Sequence, residues 1–204
     1  MNLVIVSSSQ RSGSQSAKIA QYLAETANEY SKVQHIELCQ LMLPLWDGED
    51  CSKHQQDNDW LKIEQSLDQA DALILITPEW GGMASPLLKN FLLMAQAEHC
   101  AHKPVLLVSV TSGISGAYPI AELRMNAFKN NKLVAIPDHL IIRNCQQLLN
   151  SLEQEGVSEH EKNIRARIAY SMHTLKHYAN TYQQLRTRLK NKPFINEEKY
   201  CYGM

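Results

Sequence analysis

The sequence predicts a doubly wound α/β domain: a five-stranded parallel sheet in the order 2-1-3-4-5, helices on both faces, and a long C-terminal helix. Three observations predict it. Short aliphatic runs recur along the first two thirds of the chain, and the middle ones are apolar at consecutive positions, as in strands covered on both faces. Amphipathic helical patterns alternate with these runs, and that alternation builds parallel sheets through βαβ crossovers. Finally, no Pro or Gly interrupts residues 158–189, where apolar side chains recur at steps of three and four.

The elements follow in order. A first strand, Leu3–Ser7, runs into a Ser-rich segment and a helix over Ser16–Tyr30 with Ala17, Ile19, Ala20, Leu23 and Ala27 on one face. A second strand spans Val33–Leu38. The acidic segment containing Asp47, Glu49, Asp50, Asp57 and Asp59 lacks calcium-loop spacing and reads as a solvated loop. Next come a helix at Trp60–Gln69, a strand at Ala72–Thr77, a helix at Pro86–Ala97, a strand at Val105–Thr111 and a helix at Pro119–Phe128. The fifth strand, Leu133–Ile142, is interrupted by Pro137. In the last helix Ile164, Ile168, Met172, Leu175, Tyr178, Tyr182, Leu185 and Leu189 form the stripe; Ser158 and Glu161 suit a capping box, and Pro193 ends it. Residues 1–150 thus form the α/β domain and 151–204 a long helix and tail, part of the same domain or an oligomer contact. A helix of roughly 30 residues, against a usual ~11–12, points to a homodimer or homotetramer.

Composition excludes several function classes. Lys and Arg total 20 against 21 Asp and Glu, a net charge of −1, so no global positive field would draw the chain to nucleic acid or anionic membrane. No apolar run approaches the ~20 residues that cross a bilayer, and the N-terminus lacks the pattern of a secretion signal. A cytoplasmic location follows, in which Cys39, Cys51, Cys100, Cys145 and Cys201 stay free thiols.

In a doubly wound sheet, ligands sit at the carboxyl ends of the strands where the winding reverses, so the loops after strands one, three and four carry the chemistry. The first, from Ser7 to Ser16, gathers hydroxyls, amides and Arg11 at a helix N-terminus, which suits a phosphate monoester. It is neither a dinucleotide G-x-G-x-x-G fingerprint nor a Walker loop. The second, Thr77–Pro86, holds Gly81 and Gly82, which let backbone pass close to a flat ligand, and Trp80 as an aromatic face. The third, Thr111–Pro119, offers Ser112, Gly113 and Gly116, whose amides could hydrogen-bond the polar edge of the same ring.

Together these loops resemble the NAD(P)H-dependent FMN reductases, flavodoxin-like flavoproteins that include quinone, azo-dye and chromate reductases. Ser9, Arg11 and Ser14 stand at the Ser, Arg and Ser of the family's G-S-x-R-x-x-S loop, with Ser8 for its Gly. Pro78, Glu79, Leu88, Lys89 and Asn90 match its P-E-Y-N-x-S-x-P-x-x-L-K-N motif, with Trp80 at the Tyr, while Gly81 and Met83 replace the Asn and Ser and Pro86 lies one place late. Ser112 and Gly116 keep the outline of its S-x-G-x-x-G loop in altered spacing. The resemblance covers about residues 1–145, including Leu43-Pro44-Leu45-Trp46-Asp47. It implies FMN as cofactor, with NADPH or NADH as co-substrate and a small-molecule electron acceptor. The phosphate falls to Ser9, Arg11, Ser14 and Ser16; the ring falls to Pro78, Glu79, Trp80, Gly81, Gly82, Ser112, Gly113 and Gly116. Flavin N5 carries the chemistry, so no catalytic acid or base is assigned.

Two other readings share this pattern: an electron-carrying flavodoxin-like protein that does not oxidise NAD(P)H, and a flavin-free structural or regulatory homologue. His173 and His177, four apart on the last helix, lack the Glu of a zinc-protease motif and read as a solvated or interfacial pair, so no metal site is assigned. The hydrolase elbow G-x-S-x-G does not occur.

Overall fold

The computed structural model describes residues 1–55, 57–153 and 155–200, the side chain at 198 apart. Cys201 and the end of the tail lie outside the described residues.

The consecutively apolar segments Ala72–Pro78 (β3) and Pro104–Val110 (β4) are buried along their whole length, as central strands covered on both faces must be. With Asn2–Ser7 (β1), Lys32–Glu37 (β2) and Val134–Ile142 (β5) they form one all-parallel sheet in the predicted order 2-1-3-4-5. The two edge strands carry most of the polar side chains, among them Lys32, Gln34 and His35 on β2. Because side chains alternate along a strand, Ile74 and Ile76 face one core while Leu73 and Leu75 face the other.

The first core is closed by α1 (Gln15–Thr26), through Ile19 and Leu23, and by the C-terminal helix. The second is closed by α3 (Trp60–Gln69), α4 (Pro86–Met94) and α6 (Ala117–Asn126), with Trp60 and Phe91 packed edge to face at 5.9 Å. Two four-residue helices, α2 (Asp50–Lys53) and α5 (Ala97–Cys100), fill connections.

Several boundaries differ from expectation. The first helix stops at Thr26, and the chain turns through Ala27 so that Tyr30 is buried under the sheet. The fourth stops at Met94, where Ala95 is extended, and restarts as α5. The acidic loop contains α2: Asp47 accepts from the Glu49 amide and the Ser52 hydroxyl, and Asp50 pairs with Lys53 at 2.8 Å. Pro137 does not divide the fifth strand. It sits where the β4–β5 register shifts, on an edge that tolerates a missing donor, and Arg124 donates to the carbonyls of Ile136, Pro137 and Asp138.

The long helix α7 spans Glu159–Asn191, 33 residues. Ser158 caps it by accepting from the Glu161 amide, but the Glu161 carboxylate binds the Leu149 amide and Arg165 instead of closing a capping box. Ile168, Met172, Leu175 and Ala179 are buried in the first core, and Arg186 pairs with Asp71 at the amino end of the sheet.

Candidate functional site

Three loops meet at the carboxyl ends of β1, β3 and β4. The first, residues 8–14, is anchored by Ser8, which is fully buried and donates its hydroxyl to the Ile76 carbonyl at 2.8 Å. Ser9, also buried, accepts from the Arg11 amide at 3.2 Å. Gly13 turns the chain at φ +61°, and Ser14 caps α1 by accepting from the Ala17 amide at 3.1 Å. The first-turn amides of α1 have no intrahelical acceptor, and that turn carries no acidic residue. Ser16 is buried with its hydroxyl oxygen unpartnered, as is the side-chain oxygen of Gln15. Orphaned polar groups at a helix N-terminus, with exposed Arg11 nearby, fit a phosphate.

The second loop has a geometry that the sequence did not suggest. Trp80 and Met83 exchange backbone hydrogen bonds across Gly81 and Gly82, whose φ values of +58° and +77° describe a tight two-residue turn of type I′. The glycines therefore serve the turn first. They set Trp80 under the Arg11 guanidinium, 5.5 Å from the ring centroid, so the first and second loops touch. The base of the turn is fixed by polar contacts: the Ser85 amide donates to Thr77 at 2.9 Å, the Ser85 hydroxyl donates to the Ser8 carbonyl, and Glu122 accepts from the Ala84 amide and pairs with Lys89. Burial pushes the Glu122 carboxyl up, yet the hydrogen bonds from Lys89 and Ala84 outweigh it and hold the group below its usual range.

The third loop is tied to the second by the Ser115 hydroxyl, which donates to Glu79 at 2.7 Å. Arg143, beyond β5, clamps it from below by donating to the carbonyls of Ile114 and Ser115. Gly116 opens α6 at φ +108°, where an added Cβ would overlap Ile141; the unpartnered buried hydroxyl of Ser109 lies beside it. Ser112 and Gly113 are exposed at the loop tip, and Tyr118 lies against Gly82. Asn90 holds the segment after β2, donating to the Pro44 carbonyl and accepting from the Trp46 amide, both at 2.8 Å.

The structure thus gathers the three groups of expected site residues on one edge of the sheet. Glu122, Arg143, Tyr118 and Ser109, which position or border the loops, were missed. Only Ser109 could have been suspected, as a polar residue within an otherwise apolar strand. A cavity of 880 Å³ among α4, α5 and α6 lies elsewhere, lined by Trp46, Gln96, Asn126 and Asn131 and by no residue of these loops. Ligands of doubly wound sheets bind at the strand ends, so the loops and not this cavity are the candidate site.

Known proteins resemble the chain. An NADPH azoreductase from Bacillus sp. (strain OY1-2) is 30% identical over 117 residues, 57% of this chain and 62% of that protein; the chain thus spans less than two thirds of that relative. Among solved structures, the flavoenzyme NAD(P)H:(acceptor) oxidoreductase FerB from Paracoccus denitrificans superposes with TM-score 0.58 at 17% identity, covering 90% of this chain and 97% of that one. A WrbA-like flavodoxin from Agrobacterium tumefaciens gives 0.53 at 18% identity, over 90% and 98%. Both show the flavodoxin-like fold. The family model for NADPH-dependent FMN reductases matches residues 1–147, the sheet, its crossover helices and all three loops, and the chain belongs to that family of FMN- and NADPH-using oxidoreductases.

Proposed function

We propose that this protein holds FMN across the three loops, oxidises NADPH, with NADH as the other candidate, and delivers electrons to a small acceptor such as a quinone or a free flavin. The name of the Bacillus relative adds azo compounds to the candidates. The observation that carries this reading is the convergence of the three loops at the carboxyl edge, joined through Arg11–Trp80 and Ser115–Glu79.

Ser9, Arg11, Ser14 and Ser16 would take the phosphate, with the α1 dipole adding to the Arg11 charge. Pro78, Glu79, Trp80, Gly81 and Gly82 would border one side of the ring; Ser112, Gly113 and Gly116 would offer the other its amides. The Trp80–Met83 turn supplies a rigid wall, and the Ser115–Glu79 bond holds the two sides at fixed separation. When bound, FMN accepts hydride from the nicotinamide and passes the electrons on, so the side chains bind and orient without acting as acid or base.

Purified protein should show flavin absorbance between about 350 and 500 nm, or acquire it on titration with FMN. It should then consume NADPH steadily with a quinone. A protein that takes up no FMN ends this reading, and one that binds FMN without steady NADPH consumption is an electron carrier instead. The same reading includes a cytoplasmic homodimer or homotetramer. Among the described residues no helix is long and apolar enough to cross a membrane, and Tyr170 and Leu189 on α7 are exposed. Light scattering tests the assembly, and a monomeric mass rejects it.

A further inference from the structure

At the opposite edge of the sheet from the three loops, α7 passes the chain just beyond the end of α1. There His173 and His177, one turn apart and both exposed, turn their rings toward each other with Nε2 atoms 3.1 Å apart. The contact is a hydrogen bond between the two rings, and its length also suits an ion in place of the shared proton: metal–nitrogen bonds of ~2.1 Å at angles of about 90–110° set two ligand nitrogens roughly 3.0–3.4 Å apart. A second element fixes the ring. Glu29 Oε1 lies 3.3 Å from His173 Nδ1, and as an acceptor it keeps the proton on Nδ1 and the lone pair on Nε2. A carboxylate behind a ligating histidine is the arrangement that orients and strengthens such ligands. Lys176 pairs with the other Glu29 oxygen at 3.4 Å, so its charge is directed to the carboxylate.

We propose that His173 and His177 chelate one divalent transition-metal ion, with Glu29 as the positioning residue. Imidazole nitrogen suits zinc, copper and nickel. Among the described residues no three His, Cys, Asp or Glu side chains converge on one point, so water completes the coordination. The site is separate from the flavin loops and does not depend on them: both ligands belong to one face of α7, and the metal would brace that face against the end of α1.

Nickel chloride titrated calorimetrically into the full-length, chelator-stripped and reduced protein tests this. One equivalent of Ni²⁺ should bind, and His173→Ala and His177→Ala should each abolish that binding, while His160→Ala, an exposed histidine in the first turn of the same helix, should leave it intact. Glu29→Gln should retain the stoichiometry and weaken binding about tenfold, the effect of losing a carboxylate behind a ligand. Circular dichroism confirms that each variant is folded. Absence of binding at millimolar nickel overturns the proposal, as does binding that persists in both histidine variants. Unchanged affinity in Glu29→Gln overturns the positioning role.

Discussion

Arg11 is exposed and rests on the face of Trp80, an interaction worth ~0.5–1 kcal/mol at such a site. A charge-assisted hydrogen bond to a phosphate contributes about 1.5–3 kcal/mol, so the anion wins the guanidinium from the indole. Arg11→Ala should therefore weaken FMN binding by that amount, roughly tenfold or more in Kd, in a fluorescence titration. Gly116 makes a different demand. At φ +108° a side chain is strained, and its Cβ would overlap Ile141, a strand residue with little room to move. Gly116→Ala should cost ~1–3 kcal/mol in urea unfolding and weaken flavin binding by shifting the third loop. Ser9, Arg11 and Trp80 were legible because each is read within a local stretch: a strand end, a Ser-rich turn, a helix start. Glu122 and Arg143 were not, because they reach their loops from 38 and 29 residues away, and nothing in their own surroundings marks them. Gly81 and Gly82 were legible as a special backbone, but their part in a tight turn depends on the Trp80–Met83 pairing, which a list of residues does not contain.

The elements were legible where burial is periodic and blurred where a helix ends. Ala27 continues the apolar stripe of α1, so periodicity runs on past Thr26; the chain in fact turns there to bring Tyr30 into the core. The start of α7 shows a comparable override. Its expected capping box is half formed because Glu161, little exposed, is claimed by Arg165, itself nearly buried. Arg165 donates at 2.6 Å to Glu161 and also to the carbonyls of Ser151 and Glu153, and it lies over the Tyr22 ring at 5.6 Å. One guanidinium thus joins α1, the loop before α7 and α7 itself. Arg165→Met would strand the Glu161 carboxylate and two carbonyls in poorly solvated positions. The expected loss is about 3–5 kcal/mol, the effect of removing one partner of a buried pair, measurable as a lower urea midpoint. A Glu161→Gln/Arg165→Met double variant should recover part of it, because the uncompensated charge is then gone.

At the scale of the whole molecule, strand order was legible because apolar density ranks the strands: β3 and β4 are wholly buried, apolar but for Thr77 and Ser109, and central, while β2 is half polar and lies at an edge. What the sequence did not reveal is which polar residues the fold would bury. Nor did it reveal which would be half-buried, as His35 and His102 are. His35 sits on edge strand β2 with Nε2 2.8 Å from the Ser7 hydroxyl, and burial lowers its pKa against a smaller opposing effect of Glu37. His102 precedes β4, and burial, then the charges of Lys132 and Arg186, lower it likewise, with Glu197 opposing. In both cases the folded protein disfavours the protonated ring, while the unfolded chain protonates it near its ordinary value of ~6.5. Below that value the unfolded state binds protons that the folded state refuses, so stability falls as pH falls and levels off only below the folded pKa values. Melting temperature should therefore drop between about pH 7.5 and pH 5.5, before carboxylates titrate. A His35→Gln/His102→Asn variant should flatten that slope, Asn being chosen because His102 has φ +60°, which Asn tolerates. If the slope is unchanged in the double variant, the pH dependence of this fold arises from other groups, and partial burial of these two histidines is not what links its stability to protons.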